Sequence, residues 1–243
     1  MSVFRFKQFS IQQEKSAMKV GTDAMLLGSL VEANEPKEIF DIGTGTGVIA
    51  LMLAQRFSEA KITAIEIDTL SYMEAYDNFF NSPWKERLIA VNRNLFDYTP
   101  NIQFDLIVSN PPYYQTRLEN QDARKSQARH ESALPMEEML EKVANLLSDK
   151  GTFWVIIPSE VNDRWIRSAT KFGLKCRTNI SIIGKEGGTV KRNILEFQTT
   201  AAHFEPVEIL KKTMTIRNSE GAYTNEYIEL TREFHYNDLT SQS

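Results

Sequence analysis

Five consecutive residues, Ser109-Asn110-Pro111-Pro112-Tyr113, hold the densest set of chemically useful groups in this 243-residue chain. Two prolines in succession fix their own φ and bring no N–H, so the apolar run from Phe104 to Val108 must end there as a strand. The strand gives way to a rigid, exposed turn carrying the Asn110 side-chain amide and the Tyr113 ring, along an edge where proline supplies no competing donor. An NPP triplet alone is also simply a stiff turn, so its neighbours decide what it does.

Gly43, Gly45 and Gly47 lie in the turn after the run Ile39–Ile42. Glycines there let a ligand come close to the backbone, with N–H groups at the start of the next helix pointing toward it. The spacing is G-x-G-x-G, whereas the dinucleotide fingerprint requires a further glycine where Val48 stands. Glu66 falls about 20 residues on, at the end of a second strand, where a carboxylate can hold both hydroxyls of a ribose. For Glu66 and Asp68 the plainer alternative is a solvated strand end. Asn94, after a third strand, is placed to meet an adenine edge with Leu95 or Phe96 as apolar cover, although a plain turn asparagine is the competing reading. Gly21 permits a turn, Thr22 or Asp23 can cap a helix over Ala24–Val31, and such a helix start receives a polar ligand end.

These residues need a frame that brings them to one place. Phe4, Phe6, Phe9 and Ile11 predict an N-terminal strand or hairpin that packs its aromatics on the domain. Strands are predicted at Ile39–Ile42, Lys61–Asp68, Leu88–Asn92, Phe104–Ser109 and Gly151–Ile157, with helices from Val48 to Phe57, Leu70 to Asn81, Pro135 to Leu147 and Val161 to Phe172. Pro135 stands at a favoured early helix position. Leu174–Ile183 and Asn193–Gln198 read as a closing strand pair joined through Lys185-Glu186-Gly187-Gly188. The alternation implies an α/β fold, with a mostly parallel seven-stranded sheet, an antiparallel edge strand and helices on both faces. Ligands of such sheets bind beyond the carboxyl ends of the strands, where all the unusual residues fall. The expected organisation is one domain: an N-terminal extension over 1–17, a core over 18–200, a C-terminal strand and helix over 201–236 and a frayed tail over 237–243.

Composition narrows the classes. With 42% hydrophobic and 25% charged residues the chain is of the soluble globular type, and no apolar run reaches the length of a membrane span. A net charge of -4 argues against coating nucleic acid by bulk electrostatics while leaving room for a local basic patch. The single cysteine, Cys176, excludes an internal disulfide framework and a multi-cysteine zinc site; its expected role is as a small core or strand residue. The N-terminus lacks the pattern of a signal peptide, so a cytoplasmic protein is expected. His203 and His235 lack partners at metal or triad spacing, and Met52, Met136 and Met139 read as core filling.

Asp41-Ile42-Gly43-Thr44-Gly45-Thr46-Gly47, Glu66-Ile67-Asp68 and Asn110-Pro111-Pro112-Tyr113, in this order at strand ends, resemble the motifs of Rossmann-like class I S-adenosylmethionine-dependent methyltransferases acting on planar nitrogens. Within that group the sequence is similar to the tRNA adenine-N6-methyltransferases acting beside the anticodon of a valine tRNA. Phe6-Lys7-Gln8-Phe9, Met18-Lys19-Val20-Gly21-Thr22-Asp23, Tyr223-Thr224-Asn225-Glu226-Tyr227 and the absence of a separate N-terminal helical domain carry that finer likeness. The resemblance implies S-adenosylmethionine as cofactor, with Lys19, Gly21, Thr22, Asp23, Asp41, Gly43, Thr44, Gly45, Gly47, Glu66, Ile67, Asn94, Leu95 and Asn110 around it. Many relatives have aspartate where this chain has Asn94, which can still accept from an adenine amino group.

The same resemblance makes Asn110, Pro111, Pro112 and Tyr113 the catalytic turn. The Asn110 oxygen and the Pro111 carbonyl accept the hydrogens of an exocyclic amine, and Tyr113 stacks on the base, which must be swung out to reach the pocket. Arg117, Arg124, Lys125, Arg129 and His130 come next in a polar segment where they can grip phosphates, although a charge run is also ordinary solvated surface; Lys185, Lys191 and Arg192 can add to the rim. The expected partner is tRNA, of the valine acceptor, with no metal, no membrane and a monomeric enzyme. Competing readings on the same fold are a protein glutamine-N5-methyltransferase, an rRNA guanine-N2-methyltransferase and a non-catalytic RNA-binding module.

Overall fold

The computed structural model describes residues 2–16, 19–112, 135–199 and 208–236. Its centre is one mixed sheet built from β3 (Glu38–Ile42), β4 (Lys61–Glu66), β5 (Leu88–Asn92), β6 (Phe104–Ser109), β7 (Leu147–Pro158), β8 (Leu174–Lys185), β9 (Val190–Thr199) and β10 (Leu210–Arg217). The strand order is β10-β8-β9-β7-β6-β3-β4-β5. Only β9 runs antiparallel to its neighbours, and the β8–β9 pair closes through the expected turn. The sheet has eight strands rather than seven because β10 pairs in parallel with β8 and forms the outer edge. Its residues Leu210–Thr213 are exposed and only Met214 is buried, so it lacks the alternation that marks a half-buried strand.

Helices cover both faces. On one side α1 (Thr22–Leu30), α2 (Val48–Arg56), α3 (Thr69–Phe80) and α6 (Asn225–Thr231) enclose a core that includes Met25, Leu51, Phe79, Trp154 and Tyr227. On the other, α4 (Met136–Leu146) and α5 (Asn162–Lys171) pack Leu140, Val143 and Trp165 against Phe40, Phe153 and Phe197. α4 shows the amphipathic pattern plainly, burying Met139, Leu140, Val143 and Leu146. Met52 and Cys176 fill core positions, and burial pushes the Cys176 thiol up to about 12. Among the described residues no helix is long and apolar enough to cross a membrane.

The N-terminal aromatics form the expected hairpin, β1 (Val3–Arg5) with β2 (Ser10–Gln12). Phe6 stacks on Phe9 with centroids 4.2 Å apart, and Phe9 meets the edge of Trp84 at 5.7 Å. Phe6 also bridges to His235, which therefore has a structural place.

Two helix starts differ from expectation. Neither Thr22 nor Asp23 caps α1; Gly21 is the N-cap in extended conformation, and the Asp23 carboxylate is engaged by Arg192 at 2.8 Å. Pro135 stands at the N-cap of α4, one position before the first helical residue. At α2 the N-cap is Gly47, whose φ of 83° lies in the left-handed region, and a Cβ there would strike the ring of Phe79. Gly47→Ala is expected to destabilise the fold by about 2–4 kcal/mol, the sum of left-handed strain and overpacking. Thermal unfolding tests this, and an unchanged Tm would contradict the close packing of α3 on the turn.

Candidate functional site

β3 lies between β4 and β6, and the register brings three chain ends level. Ile42 pairs with Ile65 on one side and Ser109 on the other, while Glu66 pairs with Asn92 on β5. The glycine turn, the acidic end of β4 and the NPP turn therefore leave the sheet side by side. The Ser109 hydroxyl donates to the Ile42 carbonyl at 2.9 Å and ties two of these ends together in the core. Asn110 and Pro112 are half-buried and Pro111 is buried, so the turn is packed into the fold. Tyr113, Arg117, Arg124, Lys125, Arg129 and His130 lie outside the described residues, as does His203.

Gly43, Gly45 and Gly47 all have positive φ, at 69°, 56° and 83°, so the turn needs glycine at each. Gly43 and Thr44 donate their N–H groups to the Ile65 carbonyl at 2.9 and 3.1 Å, anchoring the turn to β4. A Cβ at Gly43 would meet nothing within 4 Å, which leaves an open cradle above the backbone. Gly45 donates to Glu66 Oε2, and Asp68 donates to Glu66 Oε1, both at 2.9 Å. The Glu66 carboxylate thus stands over the glycine turn, half-buried, with lone pairs left for hydroxyl donors. Ile67 beside it is 52% exposed, an apolar surface next to a polar carboxylate. Asp68 is the N-cap of α3 and accepts from Ser71 N–H at 2.8 Å, so the two acids at this strand end have different tasks.

Several expected ligand residues have other places. Asp41 is fully buried, and its Oδ2 accepts the Thr44 hydroxyl at 2.6 Å. It braces the glycine turn from beneath and does not reach a ligand. The Leu95 side chain is 3% exposed and packs among Ile42, Ile65 and Phe40, so it cannot cover an adenine. Asn94 is the N-cap of a short 3-10 turn, Leu95–Asp97, and its Oδ1 accepts from Phe96 N–H at 2.9 Å. One lone pair of that oxygen is left for an amino group. Lys19, Gly21 and Thr22 are exposed at the start of α1. The Arg192–Asp23 pair brings that start to the same edge of the sheet, because β9 begins there.

The inner face of α3 holds residues that sequence reading passed over. Ser71, Glu74 and Asn78 are all buried. Glu74 accepts three successive backbone N–H groups, from Glu14 at 2.6 Å, Lys15 at 3.0 Å and Ser16 at 2.9 Å. Asn78 accepts from Gln12 N–H at 2.8 Å and donates to the carbonyls of Gln12 at 3.0 Å and Thr46 at 2.8 Å. The Ser71 hydroxyl meets that of Ser16 at 3.3 Å. This polar face straps the N-terminal segment onto the glycine turn. Its sequence signal is three polar residues at i, i+3 and i+7 on the face that also carries Ala75 and Phe79.

Burial raises the Asp41 carboxyl to about 7, against the opposing pull of the Thr44 hydroxyl, and the Glu66 charge adds to the rise. Between about pH 4 and pH 7 the unfolded chain has released this proton while the folded chain keeps it. This group therefore makes the fold less stable as pH rises through that window. Asp41→Asn is expected to become more stable relative to wild type from pH 5 to pH 8, measured as the difference in Tm. A difference independent of pH would contradict the buried, proton-holding carboxyl.

Residues 15–172 match the family model for the methyltransferase small domain. The chain is 41% identical over 233 residues to a Bacteroides thetaiotaomicron protein named tRNA1(Val) (adenine(37)-N6)-methyltransferase, covering 96% of each chain. It is also 41% identical over 236 residues to the Flavobacterium psychrophilum protein of the same name, covering 96% of this chain and 99% of that one. Among solved structures, a predicted O-methyltransferase from Agrobacterium tumefaciens superposes with a TM-score of 0.67 at 16% identity, over 87% of this chain and 96% of that one. A methyltransferase from Pyrococcus furiosus gives 0.57 at 22% identity, over 78% and 88%. The structural likenesses establish the class I methyltransferase fold, and the sequence match establishes that this chain belongs to the methyltransferase small domain family.

Proposed function

We propose that this protein transfers a methyl group from S-adenosylmethionine to the exocyclic N6 of an adenine in tRNA, beside the anticodon of a valine tRNA. The observation that carries this reading is the level register of Gly43, Glu66 and Asn110 at adjacent strand ends. The proteins of 41% identity bear names for that reaction. The reaction belongs in the cytoplasm and is carried out by a monomer.

The residues present fit the cofactor. The open glycine backbone accommodates its amino-acid end, Glu66 offers acceptors for ribose hydroxyls, and Ile67 gives an apolar surface for the adenine. When bound, the cofactor supplies a methyl group on a sulfonium, an electrophile that needs only a positioned nucleophile. An exocyclic amine is a poor nucleophile because its lone pair is delocalised into the ring. The Asn110 side-chain oxygen and the Pro111 carbonyl accept its two hydrogens, favour a pyramidal nitrogen whose lone pair is withdrawn from ring conjugation, and stabilise the positive charge that develops on nitrogen before one proton is released to solvent. No strong base is required, and most of the rate comes from alignment.

Two measurements test this. Incubation with labelled S-adenosylmethionine and unmodified tRNA should give N6-methyladenosine on nucleoside mass analysis, and Asn110→Ala should lower turnover by about 10²–10³-fold while cofactor still binds. Methylglutamine in release factor, with no methyladenosine in tRNA, would overturn the assignment. For the strap, Glu74→Gln should weaken S-adenosylhomocysteine binding about 10-fold by calorimetry through displacement of the segment over the glycine turn. Wild-type affinity in that variant would confine Glu74 to a purely structural role.

A further inference from the structure

The functional edge of the sheet continues past the NPP turn. Moving outward from β6, the chain ends at this edge are those of β7, β9, β8 and β10. A row of cations stands on the outer three. Arg192 near the start of β9 pairs across the sheet with Pro158 on β7 and Ile182 on β8. Lys191 precedes it, and Lys185 at the end of β8 pairs with Arg217 at the end of β10. With strands about 4.8 Å apart, the row begins about 10 Å from the NPP turn and ends about 19 Å from it. It lies on the side away from Gly43 and Glu66, which belong to the β3 and β4 half of the edge.

The platform beneath the row is rigid. Glu186 N–H donates to the Arg217 carbonyl at 2.8 Å, and Ser219 N–H donates to Glu186 Oε2 at 2.9 Å, so the β8–β9 turn and the β10–α6 connection are fastened together. Asn218 Oδ1 accepts from Glu220 and Ala222 N–H groups at 3.1 and 3.0 Å and closes the second turn on itself. The Arg217 guanidinium lies 4.0 Å over the Tyr223 ring and donates to the Gly221 carbonyl at 2.7 Å, while Tyr223 stacks on Tyr227 at 4.8 Å. Lys185 and Lys191 are exposed, and among the described residues neither they nor Arg217 form an ion pair with a carboxylate. The acids of the same turns are Glu186, which is engaged by Ser219, and Glu220. In a chain of net charge -4 this row is a local feature and no general basicity.

We propose that Lys185, Lys191 and Arg217 form a docking surface for the phosphate backbone of the RNA stem that carries the target base. The inference rests on the reading of tRNA as substrate. Lysines on a turn provide point charges for phosphates, and an arginine already stacked on an aromatic ring loses little freedom on pairing with one. Its geometry divides the edge: cofactor over β3 and β4, amine at β6, stem over β9, β8 and β10.

The test compares wild type with the double variant Lys185→Glu/Lys191→Glu and with a charge-matched control, Lys211→Glu/Lys212→Glu, at exposed positions near the opposite end of β10. The proposal expects KM for unmodified tRNA to rise at least about 10-fold in the first variant, and the slope of log affinity against log salt to fall by about 2. Affinity for S-adenosylhomocysteine should stay within about two-fold, and the control should match wild type in KM and slope. If wild type methylates tRNA and the Lys185/Lys191 variant does so with unchanged KM and slope, the docking surface is refuted while the tRNA reading stands. If the control loses as much as the variant, bulk charge is responsible and the docking surface is likewise refuted. If wild type neither binds nor methylates tRNA, the functional reading falls first.

Discussion

The position of β3 between β4 and β6, with Ile42 paired at once to Ile65 and Ser109, is the constraint on which the site depends. Parallel strands carry their chain ends to the same side of the sheet, and side-chain periodicity makes a one-residue slip costly because it sends every side chain to the opposite core. Ile39 and Ile42 lie on opposite faces and pack into different cores, so a slip of β3 against either neighbour would place each in a core shaped for other side chains. The level of Gly43, Glu66 and Asn110 is therefore set by core packing. The Ser109–Ile42 hydrogen bond, in the interior, adds a polar contact that a shifted register would leave unmade.

A second tier of contacts holds what the sheet alone does not. The glycine turn has three left-handed glycines, a conformation that unfolded chain rarely keeps and that needs outside support. Asp41 and Thr44 support it from within the core, Phe79 closes on Gly47, and Asn78 reaches the Thr46 carbonyl from α3. Because Glu74 on the same helix takes three amides of the N-terminal segment, the hairpin, α3 and the turn behave as one unit. A buried carboxylate bound by three N–H groups is costly to disturb, since removing it strands those donors away from water.

Much of this was legible in the sequence, and for identifiable reasons. Alternation of apolar runs with helical patterns gave the parallel sheet, and the breakers at its strand ends, glycine and proline, marked the edge where the candidate site lies. Glu66 stands out because a carboxylate about 20 residues beyond the glycine turn, at a strand end, suits the hydroxyls of a ribose. Tertiary context decided the rest. Asp41 and Leu95 sit within the motifs proposed to hold the cofactor, yet the β-strand places Asp41 inward and the 3-10 turn rotates Leu95 into the core. Asp23 looked like a cap, but its carboxylate is satisfied by Arg192 from a strand 169 residues away, a contact no local pattern encodes. Ser71, Glu74 and Asn78 stayed invisible because polar residues on a helix usually mark its wet face, whereas here they meet buried backbone.

With the Asn110 oxygen and the Pro111 carbonyl as acceptors, as proposed, the NPP turn suits a planar nitrogen, because two acceptors at a rigid edge fit two hydrogens on one atom. It cannot select a particular RNA, since every adenine offers the same amino group. Recognition of the nucleic acid must come from surface that contacts backbone and shape, at a distance set by the stem rather than by the base. A chain of net charge -4 cannot provide this by overall attraction, so the cations that matter have to be concentrated, held in place and kept from internal carboxylates. On this fold the strands beyond β7 meet those conditions. β9 turns back antiparallel, which returns the chain to the functional edge and sets Lys185 and Lys191 on either side of one turn; β10 then widens that edge by a strand. The antiparallel pair and the eighth strand, which beyond the Arg192–Asp23 contact add little to the cofactor half of the sheet, thereby acquire a physical reason.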